Sequence, residues 1–254
     1  MMVASSLGII GGSGLYSVTA RPDIRIEKLP TPYSSDPVQL HLEQADGRDF
    51  WFIPRHGKNH SIPPHRINYR ANMWALKEVG VSRLVAVNAV GAIQEGLLAG
   101  AIVLPDQLID YTWGREHSYF DGLDSLQNHV DFTFPYDTDL ARIISQSCHA
   151  LKIPVHQTGV YGCTQGPRLE TAAEVRKLKN DGCDIVGMTG MPEAALAREL
   201  DLRYSCLALV VNRAAGLDAN PITMAQIQAA LDQGLDDVRR IIFASLPLLL
   251  DPAT

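Results

Sequence analysis

The sequence is poor in the features that announce secretion, membrane insertion or nucleic-acid binding. It has only four cysteines, Cys148, Cys163, Cys183 and Cys206, and no C-x-x-C pair. Widely spaced as they are, they suit small buried thiols in a reduced, intracellular setting. No apolar run reaches the roughly 18 residues that span a bilayer. The opening stretch MMVASSLGIIGGSGLY has neither a basic n-region nor a long apolar h-region, so it does not read as a signal peptide, and a cytoplasmic protein is expected. Lysine and arginine number 22 against 28 acidic residues, a formal net charge of -6, with no basic run or stripe. Nucleic acid is therefore not an expected partner. Phosphate is not excluded, because anion binding depends on local donors rather than net charge.

What is present is ordinary for a globular enzyme, with 46% hydrophobic and 20% charged residues in 254. No repeat, low-complexity tract or linker interrupts the chain, so one domain over residues 1–254 is expected. Short apolar runs alternate with helical patterns. Leu7 to Ile10, Trp51 to Ile53, Leu84 to Val87, Ala101 to Leu104 and Leu108-Ile109 read as strands, as do segments near 157–162, 184–188 and 204–211. Ile67, Ala71, Trp74, Ala75 and Val79 share a helical face that Gly80 ends. Further helices are expected near 138–151, 170–180, 192–200 and 223–246. Residues 113 to 136 form a long aromatic- and Asp-rich loop. This alternation predicts an α/β fold, a mixed central sheet covered on both faces by helices.

Small or hydrogen-bonding residues follow several strands: Gly12-Ser13-Gly14, Asn88-Ala89-Val90-Gly91, Met188-Thr189 and Asn212-Arg213-Ala214. In open α/β sheets ligands bind beyond the carboxyl ends of strands, so these turns are expected to converge. Gly11-Gly12-Ser13-Gly14 suits an anion, though a plain tight turn reads equally well. Arg55 offers a bidentate fork and His56 a second donor. His56, His60 and His65 do not read as a metal site, since no H-E-x-x-H or acidic ligand accompanies them and Lys58 lies between. Glu170 falls in the first turn of an expected helix, where it either caps the helix or accepts from a ring N–H. Asn212 offers a donor and an acceptor on one planar group, which suits a purine edge; a turn role is the alternative.

Taken in order, IIGGSGLY, PRHG, NYRANMWALKEVGV, NAVGAI, GPRLETAAEV and MTGMPEAALA resemble the purine nucleoside phosphorylase and methylthioadenosine phosphorylase family, and the resemblance extends to about residue 216. It implies a single-domain fold with a distorted-barrel sheet, phosphate as co-substrate and no other cofactor. Phosphate would be held by Ser13, Arg55, His56, Asn88, Ala89 and Thr189. Met188 would pack on the sugar, and Asn212, with His56, would be catalytic. Leu169, Glu170, Asn212, Arg213 and Ala214 would surround the base. A trimer, or a hexamer, is implied, with His129 reaching a neighbouring subunit's site.

The departures narrow the substrate. Methylthioadenosine phosphorylases carry Ser where this chain has Glu170, and Asp-x-Asp where it has Asn212-Arg213-Ala214. Glu and Asn at those places suit a 6-oxopurine, whose N1–H needs an acceptor and whose O6 needs a donor. Leu169 replaces a Phe that often packs on the purine. Met224 stands where 6-oxopurine phosphorylases place a His for the 5′-hydroxyl, and a thioether makes a soft apolar wall; a core position in the helix beginning near Thr223 is the alternative. Together these imply phosphorolysis of S-methyl-5′-thioinosine. Inosine/guanosine phosphorolysis, methylthioadenosine phosphorolysis, water-dependent hydrolysis and a non-catalytic nucleoside sensor are the alternatives.

Overall fold

The computed structural model describes residues 6–19, 21, 24–122 and 129–250. Among the described residues eleven strands join in one mixed sheet. The first four are β1 (Leu7–Gly11), β2 (Arg25–Thr31), β3 (Ser34–Ala45) and β4 (Arg48–Pro54). Helix α1 (Tyr69–Glu78) leads to β5 (Arg83–Ala92), β6 (Ile102–Val103) and β7 (Gln107–Asp110). Then come α2 (Thr138–Leu151), β8 (Val155–His156), β9 (Val160–Cys163), α3 (Ala172–Asn180) and β10 (Ile185–Gly187). The chain closes with α4 (Glu193–Glu199), β11 (Arg203–Arg213) and α5 (Met224–Leu250). The order across the sheet is β2-β3-β4-β1-β5-β10-β9-β7, and β11 branches from β5.

Alternation along the central strands divides the core into two layers. Ile10, Leu84, Ala86, Ala208 and Val210 point to one layer, where Met73, Leu76, Leu196 and Ala197 of α1 and α4 cover them. Ile9, Val85, Val87, Leu207 and Leu209 point to the other, beneath Ile144 of α2 and Leu235, Val238 and Ile242 of α5. Both faces are buried, which is why these strands read as continuous apolar runs rather than alternating ones.

Several element ends differ from the sequence reading. Helix α1 begins at Tyr69, where the Asn68 side chain accepts from Ala71 N–H at 3.0 Å. Its buried face is Tyr69, Ala71, Met73, Ala75 and Leu76, while Trp74 is only half-buried. Asn88-Ala89-Val90-Gly91 is not a turn. β5 runs straight through it, because β11 pairs along that whole stretch. Helix α3 begins two residues after Glu170, so Glu170 is not in its first turn. The capping role belongs to Thr171 and Glu174, whose side chains and backbone bond reciprocally.

A gap in the ladder positions the site. On one edge of β5, β1 pairs parallel up to Ala86, and β10 pairs antiparallel from Gly91 onward. Residues 87 to 90 have no ladder partner there among the described strands. β1 and β10 thus run toward each other along one edge, and the residues that follow each of them converge on the opening.

Candidate active site

The opening is the floor of a cavity of about 390 Å³. β1 and β4 are parallel and end in register, Gly11 beside Pro54, so Gly12-Ser13 and Arg55-His56 emerge together. β9 and β10 end in register as well, Cys163 beside Gly187, so Thr164 and Met188-Thr189 emerge together. The register shift at Val211 sets Asn212 opposite Gly91. Gly12 must be glycine, since a Cβ there would lie 2.4 Å from the Val87 carbonyl oxygen.

Of the residues expected from the sequence, Ser13, Arg55, His56, Ala89, Leu169, Glu170, Met188, Thr189, Asn212, Ala214 and Met224 line this one cavity. Three do not. Asn88 is buried behind the wall, 1% exposed, and its Nδ2 donates to Thr189 Oγ1 at 2.8 Å. It therefore orients the hydroxyl of a cavity-lining residue rather than lining the cavity itself, because its position on a continuous strand turns the amide inward. The Arg213 side chain is drawn away toward Asp218, 3.5 Å from its carboxylate, and only its backbone carbonyl takes part, accepting from Asn212 Nδ2 at 2.7 Å. His129 is exposed and lies off the cavity of its own chain.

Arg55 is 1% exposed, and most of its donors are already committed. Nε and Nη2 donate to the two Glu193 carboxylate oxygens at 2.9 and 2.7 Å, and Nη1 donates to the Val87 carbonyl at 2.7 Å. Of the five N–H donors of a guanidinium, one on each terminal nitrogen remains for an anion. Burial alone would lower the Arg55 pKa, but the charge and hydrogen bonds of Glu193 outweigh it and raise it. Tyr204 adds a hydroxyl donor to Glu193 Oε1 at 2.8 Å.

His56 differs from the expected donor. Its Nδ1 lies 2.9 Å from the Ile62 carbonyl, which can only accept, so the proton sits on Nδ1. Burial first, and then the Arg55 charge, push its pKa down to about 4. Near neutral pH the imidazole is uncharged, and Nε2 offers a lone pair to the proton of a hydrogen phosphate or a sugar hydroxyl. The ring stacks on His60 with centroids 4.2 Å apart.

Glu170 and Asn212 are half-buried. Glu170 Oε1 accepts from Thr164 Oγ1 at 2.6 Å. Asn212 keeps one amide N–H and its carbonyl oxygen for a ligand. Met224 is 74% exposed at the cavity mouth, beside Ile222 and Ile227, so it is not a core residue of α5.

Sequence reasoning missed Glu193, Tyr204 and Thr164. A lone acid in the apolar stretch MPEAALA is the one signal that marked Glu193. A larger cavity of about 740 Å³ lies between the β2–β3 hairpin and α1, but Arg55 alone of the expected residues reaches it. Among the described residues no helix is long and apolar enough to cross a membrane.

Comparison with known proteins agrees with this geometry. The model of the phosphorylase superfamily matches residues 6–247. A Pseudomonas syringae protein named "Probable S-methyl-5′-thioinosine phosphorylase" is 47% identical, covering 93% of this chain and 98% of that protein. A Pyrococcus furiosus protein named "6-oxopurine nucleoside phosphorylase" is 41% identical, covering 96% of this chain and 92% of that protein. A methylthioadenosine phosphorylase structure from Schistosoma mansoni, in complex with adenine, superposes with a TM-score of 0.89 at 31% identity, over 96% of this chain and 92% of that one. The chain belongs to the phosphorylase superfamily. The expected α/β fold holds, and so does the expected enzyme class, a pentosyltransferase of the nucleoside phosphorylase type.

Proposed function

We propose that the enzyme cleaves S-methyl-5′-thioinosine with phosphate, giving hypoxanthine and 5-methylthioribose 1-phosphate. The observation that carries this reading is one cavity lined both by Glu170 and Asn212 and by Met224, Ile222 and Ile227. The first pair matches the hydrogen-bonding edge of a 6-oxopurine. The second group offers apolar contact and no hydroxyl partner, as a methylthio tail requires.

In the reaction a phosphate oxygen bonds to C1′ as the C1′–N9 bond breaks, and the bonding electrons leave with the purine. Arg55, Ser13 and the Thr189 hydroxyl hold the phosphate against the sugar face, and the anion's charge stabilises the cationic sugar. His56 Nε2 accepts the phosphate proton or a sugar hydroxyl. Asn212 donates to O6 as negative charge gathers there and accepts from a protonated N7, which improves the leaving group. Phosphate is the co-substrate, and the scheme uses no metal or other cofactor.

The exposure of Met224 at the cavity mouth favours a site closed by a neighbouring subunit. A trimer in which His129 reaches across fits that need, and a cytoplasmic location fits a salvage enzyme of this kind. Inosine phosphorolysis is the second reading, favoured by the 6-oxopurine relatives. Phosphate-dependent kcat/KM on methylthioinosine, methylthioadenosine and inosine, compared directly, tests the proposal. Methylthioinosine is expected to lead by at least about tenfold, the scale of one apolar contact. A lead for inosine would remove the role of Met224. A lead for methylthioadenosine would remove the base assignment, and binding of hypoxanthine without phosphate-dependent turnover would favour a sensor.

A further inference from the structure

The carboxylate that faces the base is itself held by a residue outside the family motifs. Thr164, the first residue after β9, places its Oγ1 2.6 Å from Glu170 Oε1 and 3.3 Å from the Gly187 carbonyl oxygen. A threonine hydroxyl has one proton to give. The shorter contact and the charged acceptor direct it to the carboxylate. Thr164 cannot drift, because its backbone N–H donates to Gly187 O at 2.8 Å, beside the paired ends of β9 and β10. The nearby Arg168 charge interacts with Glu170, but the hydrogen bonds of Arg168 go elsewhere. The N-terminus of α3 is capped by Thr171 and Glu174, and Arg168 is paired bidentately with Glu174 at 2.7 and 2.8 Å.

We propose that Thr164 is a positioning residue that sets the base specificity of this site. Its hydroxyl occupies Glu170 Oε1 and fixes the plane of the carboxylate, leaving Oε2 to accept from the N1–H of a 6-oxopurine. A 6-aminopurine presents an unprotonated N1, so the same fixed oxygen meets it lone pair to lone pair and the base is refused. Without the hydroxyl the carboxylate is free to turn aside, and both the preference for one base and the penalty against the other relax. The inference rests on the base reading proposed above.

The test compares kcat/KM for methylthioinosine and methylthioadenosine at saturating phosphate in the wild type, Thr164→Val, Thr164→Ser and Glu170→Gln. The valine variant keeps the shape and removes the donor. Its ratio of the two substrates is expected to fall about tenfold or more, the scale of a hydrogen bond to a charged group. Serine is expected to restore the ratio, and the phosphate KM is expected to stay at the wild-type value, which a general loss of structure would not allow. Thr164→Ala removes the same donor without added bulk, so a folding failure of the valine variant leaves the outcome readable. A ratio unchanged by loss of the Thr164 donor but lost in Glu170→Gln overturns the proposal and leaves Glu170 reading the base unaided. A ratio unchanged in Glu170→Gln overturns the base reading, and this proposal with it.

Discussion

Asn88 stands directly behind Thr189, its Nδ2 donating to Thr189 Oγ1 across 2.8 Å inside the protein. That bond uses an acceptor lone pair of the hydroxyl and leaves its one proton to point elsewhere. The Cys206 thiol in turn donates to Asn88 Oδ1 at 3.5 Å and steadies the amide. Three residues from two strands and a turn thus aim one O–H.

If this arrangement directs Thr189 at phosphate, Asn88→Ala raises the phosphate KM about five- to tenfold, the scale of one net hydrogen bond. Thr189→Val produces a similar rise. The double variant is no worse than the more severe single one, because the two act in series. Initial rates against phosphate concentration decide it, and additive losses would show that Asn88 acts independently.

Glu193 neutralises a fully buried guanidinium. Glu193→Gln keeps the shape but leaves Arg55 charged and uncompensated. Breaking one partner of a buried pair costs about 3–5 kcal/mol, and denaturant unfolding measures it. Phosphate supplies the missing charge, so the variant is expected to gain more melting temperature from added phosphate than the wild type does. Equal gains would separate Arg55 from the anion.

His56 has a depressed pKa in the folded protein, about 4 against an ordinary 6.5. Between those values the unfolded chain binds a proton that the folded protein refuses. Stability at His56 is therefore complete above about pH 6.5 and falls as pH drops toward about 4, by of order 3 kcal/mol. Urea unfolding of the wild type and His56→Gln across this window is expected to show the extra slope only in the wild type. Parallel slopes would place the proton elsewhere.

Met224→His replaces the apolar mouth of the cavity with a hydrogen-bonding group. The ratio of kcat/KM for inosine over methylthioinosine is expected to rise roughly tenfold or more. An unchanged ratio would mean that the 5′ end of the sugar does not meet Met224.

Asn212→Asp replaces the amide donor with an acceptor. The preference between bases is expected to move toward adenine nucleosides by orders of magnitude, since a mispaired polar edge can cost about 10⁴-fold or more. Constant preference would mean that Asn212 does not read O6.

Much of this was legible in the residues alone. Period and composition place the central strands and the helices, because both faces of the sheet are buried there and the runs are apolar throughout; β2 and β3, polar and largely exposed, are not marked this way. The small and polar residues that close β1, β4, β10 and β11 mark the side where the ligand sits, since a sheet exposes its site at strand ends. The chemistry of Arg55, Glu170 and Asn212 follows from residue type. The register of pairing does not. NAVG looks like a turn by composition, yet β11 holds it as strand, and that continuity is what turns Asn88 inward and Ala89 to the cavity. Arg55 and Glu193 are 138 residues apart in sequence, and only the meeting of the chain after β4 with α4 and β5 spends three of the guanidinium's donors, two on Glu193 and one on the Val87 carbonyl, before any anion arrives. The gap at residues 87 to 90 exists because β1 and β10 stop short of each other on one edge of β5. Local sequence sets local conformation through short-range sterics and periodic burial, whereas strand register and buried partners depend on contacts between distant segments that form only when the whole sheet closes.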